Sequence, residues 1–235
     1  MGLCMNIAID IKRPEFLDQC EAKIGKLFHT RGTPITLRPD AVLFLDGDPL
    51  DTIFEVRRGV LRCLNVSEDG RKHIFKFSCE KSYVGVDFDE RWRFTAESVN
   101  EVRLRALPRS VFLRAIAEDP ALATWRMSHI QEQLRDREQQ LLAFASRGAD
   151  ARLLNFLAGF ARVAGTDLRR AGGATALPMS RRDIADHLGI SFETVSRAFS
   201  ALKRRGALEM IGPGVFRLPV LPHAAVSPFA EVEVT

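Results

Sequence analysis

Glu193, Ser196, Arg197 and Ser200 recur at i, i+3, i+4 and i+7, the spacing that lines one edge of an α-helix. An acid, a guanidinium and two hydroxyls in such a row match the edges of base pairs. Arg donates a bidentate pair to guanine O6 and N7, Glu accepts from cytosine N4, and Ser serves several bases. Phe192, one residue earlier, offers a ring to a thymine methyl, while Ser191 and Thr194 occupy the same first turn.

The elements that must position this edge are written into the stretch from Leu177 to Leu218. Ser180 followed three residues later by Asp183 starts a short helix that runs to Leu188 and buries Ile184, Ala185 and Leu188. Gly189 ends it, Ile190 plugs the corner, and Ser191 caps a second helix that reaches about Arg205 before Gly206. Val195, Ala198, Phe199 and Leu202 form that helix's inward face, opposite the polar row. Two helices joined so tightly make a helix-turn-helix, whose second helix enters the DNA major groove. Leu208 to Ile211, the turn Gly212-Pro213-Gly214 and Val215 to Leu218 read as a hairpin that makes the domain winged.

SRRDIADHLGISFETVSRAFSALKRRGAL resembles the DNA-binding signature of the Crp/Fnr family of bacterial transcription regulators, and E-T-V-S-R is close to its Fnr and FixK branch. That resemblance implies that Glu193, Ser196 and Arg197 read half-sites similar to TTGA. The cyclic-AMP-responsive branch has Arg before the Glu and Gly at the place of Ser196. Phe192 and Ser196 stand there instead, which argues against a TGTGA type of half-site. It also implies activation through surface loops that touch RNA polymerase, without assigning residues here.

Length and composition fit this reading. The chain allows one large or two modest domains, and 46% hydrophobic residues suffice for ordinary cores. Apolar runs are broken by charge well short of membrane length, and no secretory signal opens the sequence, so a cytoplasmic location and no membrane partner are expected. Lys and Arg outnumber Asp and Glu by 11 to 6 from Asp150 to Arg217, against 23 to 22 before it. The local excess, including Arg181, Arg182, Lys203, Arg204 and Arg205, suits phosphate contacts that position a protein without specifying sequence. Ser180 joins Arg181 at the start of the first helix of the pair.

From Thr33 to about Val111 the texture changes to short runs punctuated by Gly: ITL, AVLFL, DTIFEV, GVLRCLNV, RKHIFKF, SYVGV, FTAESV and EVRLRAL. These are strands of a small barrel or β-roll. GDPLDTIFEVRRGVLRC resembles the start of the family's cyclic-nucleotide-binding-type jelly roll. In members that bind a nucleotide, F-x-G-E-L and R-S/T-A cradle it, Glu holding the ribose and Arg the phosphate. YVGVDFDERWRFTAES keeps Gly85, Thr95 and Ala96 but places Val86 and Phe94 where those two side chains would be. Arg93 is one residue out of register, and Asp87, Asp89 and Glu90 repel phosphate. A retained barrel with a lost cradle is expected, hence no nucleotide cofactor.

An iron–sulfur cluster, the family's other sensor, needs four thiolates in suitable grouping. Cys4, Cys20, Cys63 and Cys79 match the count but contain no C-x-x-C pair, and Cys20, Cys63 and Cys79 suit core positions. His29, His73, His129 and His187 are scattered singly, so no haem or metal ligand is assigned. No nucleophile motif, metal-ligand pair or phosphate-binding glycine loop points to an enzyme. A small-molecule- or redox-responsive regulator with a ligand in the β-roll is the rival within the class.

Asp119 to Arg147 is the longest helical stretch. Met127, Ile130, Leu134, Leu141 and Phe144 fall at a/d heptad positions, with Arg137 interrupting, as in a two-stranded coiled coil that makes a homodimer. Ser146 to Asp150 serves as hinge, ARLLNFLAGFARVAG follows as a helix, and Gly165 to Ala176 reads as a loop. The expected chain is α+β. It has an arm and helix over 1–32, a β-roll (cyclic-nucleotide-binding-like jelly roll) over 33–118 and a long dimerisation helix over 119–147. A winged helix-turn-helix over 148–218 and a tail over 219–235 complete it, the partners being double-stranded DNA, RNA polymerase and a second copy.

Overall fold

The computed structural model describes residues 15–86, 89–145, 148–165 and 173–219. The expected arm with Cys4, Asp87 of the lost cradle, Ser146 and Arg147 of the hinge, most of the 165–176 loop and the tail after Pro219 lie outside the described residues. So does the side chain of Phe144.

Helix α1 (Glu15–Arg31) buries Cys20, Ile24 and Phe28 along one stripe, as the spacing predicts. Eight strands follow: β1 (Thr33–Leu37), β2 (Val42–Phe44), β3 (Thr52–Arg58), β4 (Leu61–Val66), β5 (Lys72–Ser78), β6 (Tyr83–Val84), β7 (Thr95–Ser98) and β8 (Val102–Pro108). They form two antiparallel sheets in the orders β1-β8-β3-β6 and β2-β7-β4-β5. The expected β-roll is thus present. Gly59 at φ +88° turns β3 into β4, and a Cβ there would lie 2.3 Å from the Glu101 carbonyl oxygen, so no larger residue fits.

Two elements differ from the sequence expectation. Arg109–Glu118 is helical (α2), although those residues fall in the span read as β-roll; it buries Phe112 against the core shared with α1. Ala174–Ala176, read as loop, is a short strand, β9, antiparallel to the wing.

Helix α3 (Pro120–Ala145) is the long helix. Its first turns are anchored on the β-roll: Trp125 packs edge-on to Tyr83 at 4.8 Å, and Arg126 Nε donates to the Val86 carbonyl at 2.9 Å. Farther along, Met127, Leu134 and Leu141 are 55%, 57% and 69% exposed, so these three positions face away from this chain's own core, while Ile130 is half-buried. Among the described residues, no helix is long and apolar enough to cross a membrane.

The last unit comprises α4 (Ala149–Val163), α5 (Arg181–Leu188), α6 (Phe192–Arg204), β10 (Glu209–Gly212) and β11 (Val215–Arg217), with the sheet order β10-β11-β9. Leu153, Leu157 and Phe160 of α4 pack on Val195, Phe199 and Leu202 of α6, and Phe216 of the wing closes the same core. Each fully buried Leu or Phe there contributes roughly 1.5–3 kcal/mol.

Candidate nucleic-acid interface

The turn between α5 and α6 is fixed by three local devices. Ser180 Oγ accepts from the Asp183 amide at 3.0 Å while Asp183 Oδ2 accepts from the Ser180 amide at 2.9 Å, a reciprocal capping box. Gly189 takes φ +64°, the left-handed conformation that ends α5 with little steric cost. Ser191 Oγ then accepts from the Thr194 amide at 3.2 Å, opening α6 two residues later.

Val195, Ala198, Phe199 and Leu202 are buried, and this leaves the opposite edge of α6 outward. Ser191, Phe192, Glu193, Arg197 and Ser200 are exposed there, with Thr194 and Ser196 half-buried beside them. The structure therefore brings the polar row together on one accessible surface. Within it, Arg197 Nη2 donates to Thr194 Oγ1 at 3.3 Å, which directs the guanidinium back along the helix, and Ser200 Oγ donates to the Ser196 carbonyl at 3.1 Å. Glu193 sits in the first turn. Its own amide and the Ser191 hydroxyl hold its carboxylate below the usual range, so it is an anion and an acceptor at neutral pH.

The surrounding cations are placed differently from one another. Lys203 and Arg204 are exposed in the last turn, and Arg205 donates to Asp150 at 2.7 Å, tying the end of α6 to the start of α4. Arg181 lies flat on the Phe199 ring, its guanidinium carbon 3.1 Å from the ring centroid. Burial lowers its pKa, and its Nη1 is buried without a hydrogen-bond partner among the described residues. A stacking role for this side chain had no signal in the sequence, since the α5 to α6 register alone decides it.

At the two β-roll positions where the sequence lacks the Glu and Arg of a nucleotide cradle, apolar side chains pack into two different cores, Val86 with Tyr83 and Trp125 and Phe94 with Phe44 and Trp92. Val86 is fully buried. Phe94 meets Phe44 at 5.4 Å and Phe75 at 5.2 Å edge-on, and Phe44 stacks on Trp92 at 3.5 Å. A Cβ on Gly85 would fall 2.6 Å from the Trp92 ring, so the glycine is required by this packing. Arg93 is exposed and paired with Asp89 at 3.0 Å, turned away from the filled interior.

Among the described residues the thiols are spread apart: Cys20 lies on the buried face of α1, Cys63 on β4, and Cys79 in the core of the last unit. Burial raises the pKa of Cys63 and pushes that of Cys79 up to about 12, which keeps both as unreactive thiols. Among the described residues, no group of three or more His, Cys, Asp or Glu side chains is placed to hold a metal ion.

Residues 151–219 match the family model of a Crp-like helix-turn-helix domain, and residues 34–119 match that of a cyclic nucleotide-binding domain. The nitrogen fixation regulation protein FixK of Azorhizobium caulinodans is 34% identical over 191 residues, covering 80% of this chain and 76% of that protein. The chain belongs to the Crp/Fnr family. A second member, the transcriptional activator protein FnrA of Stutzerimonas stutzeri, is 30% identical over 217 residues, 91% of this chain and 84% of that one. The solved structure of FixK2 from Bradyrhizobium japonicum superposes with a TM-score of 0.73 at 30% identity, over 80% of this chain and 92% of that chain. This Crp/Fnr protein is therefore a transcription regulator of the FixK type with a DNA-binding helix-turn-helix. The resemblance carried by residues 180–208 extends across both of its folded units, and the relatives' described roles are regulatory.

Proposed function

We propose that the protein acts in the cytoplasm as a homodimer on inverted TTGA-type half-sites, without a cyclic nucleotide or an iron–sulfur cluster. Glu193 and Arg197 address one C·G pair from opposite strands, Ser196 adds a neighbouring contact, and Phe192 covers a thymine methyl. Lys203 and the exposed Ser180 at the start of α5 face the phosphate backbone, while Arg181, held against Phe199, supports α6 from behind its reading edge. RNA polymerase, met through surface loops, is the downstream partner. The naming of FnrA as a transcriptional activator supports activation as the outcome.

One observation carries this reading: an acid, a hydroxyl and a guanidinium share the accessible edge of α6 while the opposite edge is sealed in the core. The exposed stripe of Met127, Leu134 and Leu141 supports pairing through α3, which would set two α6 helices one DNA turn apart. The aromatic filling around Phe94 supports independence from nucleotide.

Selection of bound sequences from random duplexes, with and without oxygen, tests it. Two inverted TTGA-type half-sites, unchanged by oxygen, are the expected yield. A monomer that ignores every duplex at low ionic strength ends the reading, and calorimetric binding of a cyclic nucleotide at micromolar concentration ends its ligand-independent part.

A further inference from the structure

The β-roll and the helix-turn-helix meet in a contact that neither motif announces. Part of it is apolar: Val60 and Cys79 of the β-roll belong to the core built by α4, α5 and α6, and Phe77 of β5 packs on Phe156 of α4 at 5.9 Å between centroids. His187 of α5 lies against both rings, its Nδ1 2.9 Å from the Ile74 carbonyl oxygen on β5. The ring contacts are non-directional, so among the described residues of this part the His187–Ile74 hydrogen bond alone constrains the relative rotation of the units.

A multipoint, charged anchor comes from Arg62 on β4. Its side chain is 14% exposed, and its guanidinium reaches three carboxylates. Nη2 lies 2.7 Å from Glu97 Oε2 on β7 and 2.9 Å from Asp40 Oδ1 in the β1–β2 turn, and Nη1 lies 3.1 Å from Asp183 Oδ1 on α5. Two anchors belong to the β-roll and the third to the helix-turn-helix. A planar fork held at several points fixes an orientation in a way that a flexible ammonium does not.

The far anchor is also the cap of α5. Asp183 divides its oxygens, Oδ2 taking the Ser180 amide and hydroxyl and Oδ1 taking Arg62. The guanidinium is thereby joined to the first turn of α5, whose buried face carries α6. We infer that Arg62 is a positioning residue for DNA binding: it fixes the rotation of the helix-turn-helix on the β-roll, and with it the separation of the two α6 helices in the dimer. This rests on the dimeric reading above.

Removing the guanidinium leaves the local folds supported. Glu97 keeps Lys72, whose Nζ is 3.1 Å from Oε1, and Asp183 keeps its capping box. A cleft of about 440 Å³ beside Arg62, lined also by Lys72, Ser180, Arg182 and Asp186, admits water to the vacated place.

The test uses the full-length protein, unaltered and as Arg62→Gln, against duplexes carrying the selected half-sites at five spacings, together with a single half-site duplex. The unaltered protein should lose about tenfold or more in affinity for a one-base-pair change of spacing, while Arg62→Gln should flatten the profile to within about threefold. Its affinity for the single half-site should stay within about twofold, because no base contact has been removed. Asp183→Asn keeps an acceptor for the cap and removes the charge facing Arg62, so it should reproduce the flattened profile and carries the test should Arg62→Gln fail to fold. Asp40→Asn, at the exposed anchor, should keep the sharp profile. A folded Arg62→Gln or Asp183→Asn protein with the unaltered spacing preference overturns the inference, as does a loss of equal size on every duplex including the half-site. An unaltered protein without spacing preference instead strikes the dimeric reading, and shows this before any variant is made.

Discussion

Arg197→Ala separates reading from folding. The side chain is exposed, and among the described residues it donates one hydrogen bond, to Thr194 Oγ1 at a long 3.3 Å, so truncation should change stability by no more than about 0.5 kcal/mol. On DNA the loss is of another size. A bidentate Arg–guanine pair is worth about 1–3 kcal/mol, and a dimer presents two of them, giving about 2–6 kcal/mol, or roughly 30-fold to 10⁴-fold in affinity. Fluorescence anisotropy on the selected operator, on the same duplex with the contacted C·G pair inverted, and on a scrambled duplex measures this. The unaltered protein should rank the three steeply. Arg197→Ala should narrow the gap between the first two to the part that Glu193 still supplies at that pair, and should lose far less on the scrambled duplex. Arg197→Lys, which keeps the charge and loses the fork, should side with Ala. Equal losses for Arg197→Ala on operator and scrambled DNA would show that the residue supplies charge alone, and would refute the assignment.

Lys203→Ala, at the exposed end of α6, should weaken every duplex alike and lower the salt slope by about 1 per chain, read from affinity at several salt concentrations. Ser180→Ala removes the acceptor of the Asp183 amide and should cost about 0.5–2 kcal/mol in denaturant unfolding. Leu134→Lys places a charge on the exposed stripe of α3 and should shift sedimentation toward the monomer. His187 has its pKa lowered to about 4, chiefly by burial, with the Ile74 carbonyl opposing and His73 adding to the fall. The unfolded chain therefore takes up the proton first as pH falls. Stability should be full above about pH 6.5 and decline toward pH 4 by about 2–3 kcal/mol, a slope that His187→Gln removes from urea unfolding curves.

The helix-turn-helix was legible because its punctuation is local. Ser180, Gly189, Ser191 and Gly206 each act within a few residues of themselves, so their meaning survives without knowledge of the rest of the chain. The eight strands were legible for a related reason, with Gly47, Gly59 and Gly70 all at positive φ marking turns between them. Helix α2 was not, because it follows β8 directly and Pro108 supplies no side-chain cap, so the boundary carries no start signal. Strand β9 is three residues long and exists through pairing with β11, a partner some forty residues later. The same limit hid Arg62: its contact with Asp183 spans 121 residues, and nothing in the text of β4 distinguishes it from any other arginine on a strand. Elements read correctly here carry their start and stop signals in their own sequence; residues missed are those whose role is set by a partner that the fold brings.

The filled barrel bears on how such a regulator is held in one shape. A ligand cradle supplies two things when occupied, polar contacts to the ligand and packing that the ligand completes. Here the second is supplied by the chain's own rings, Phe44, Trp92, Phe94 and Phe75 touching in sequence through the interior. The series continues outward, because the Arg137 guanidinium carbon lies 5.8 Å from the Phe75 ring centroid. Arg137 is the residue that breaks the apolar heptad of α3, and its partner here is a ring of this chain's own β-roll. The long helix is thus pinned to the β-roll at Trp125, Arg126 and Arg137, and the helix-turn-helix is pinned to it through Arg62. Both attachments are made by side chains of the chain itself, so the long helix and the helix-turn-helix are each tied to the β-roll by polar as well as aromatic contacts.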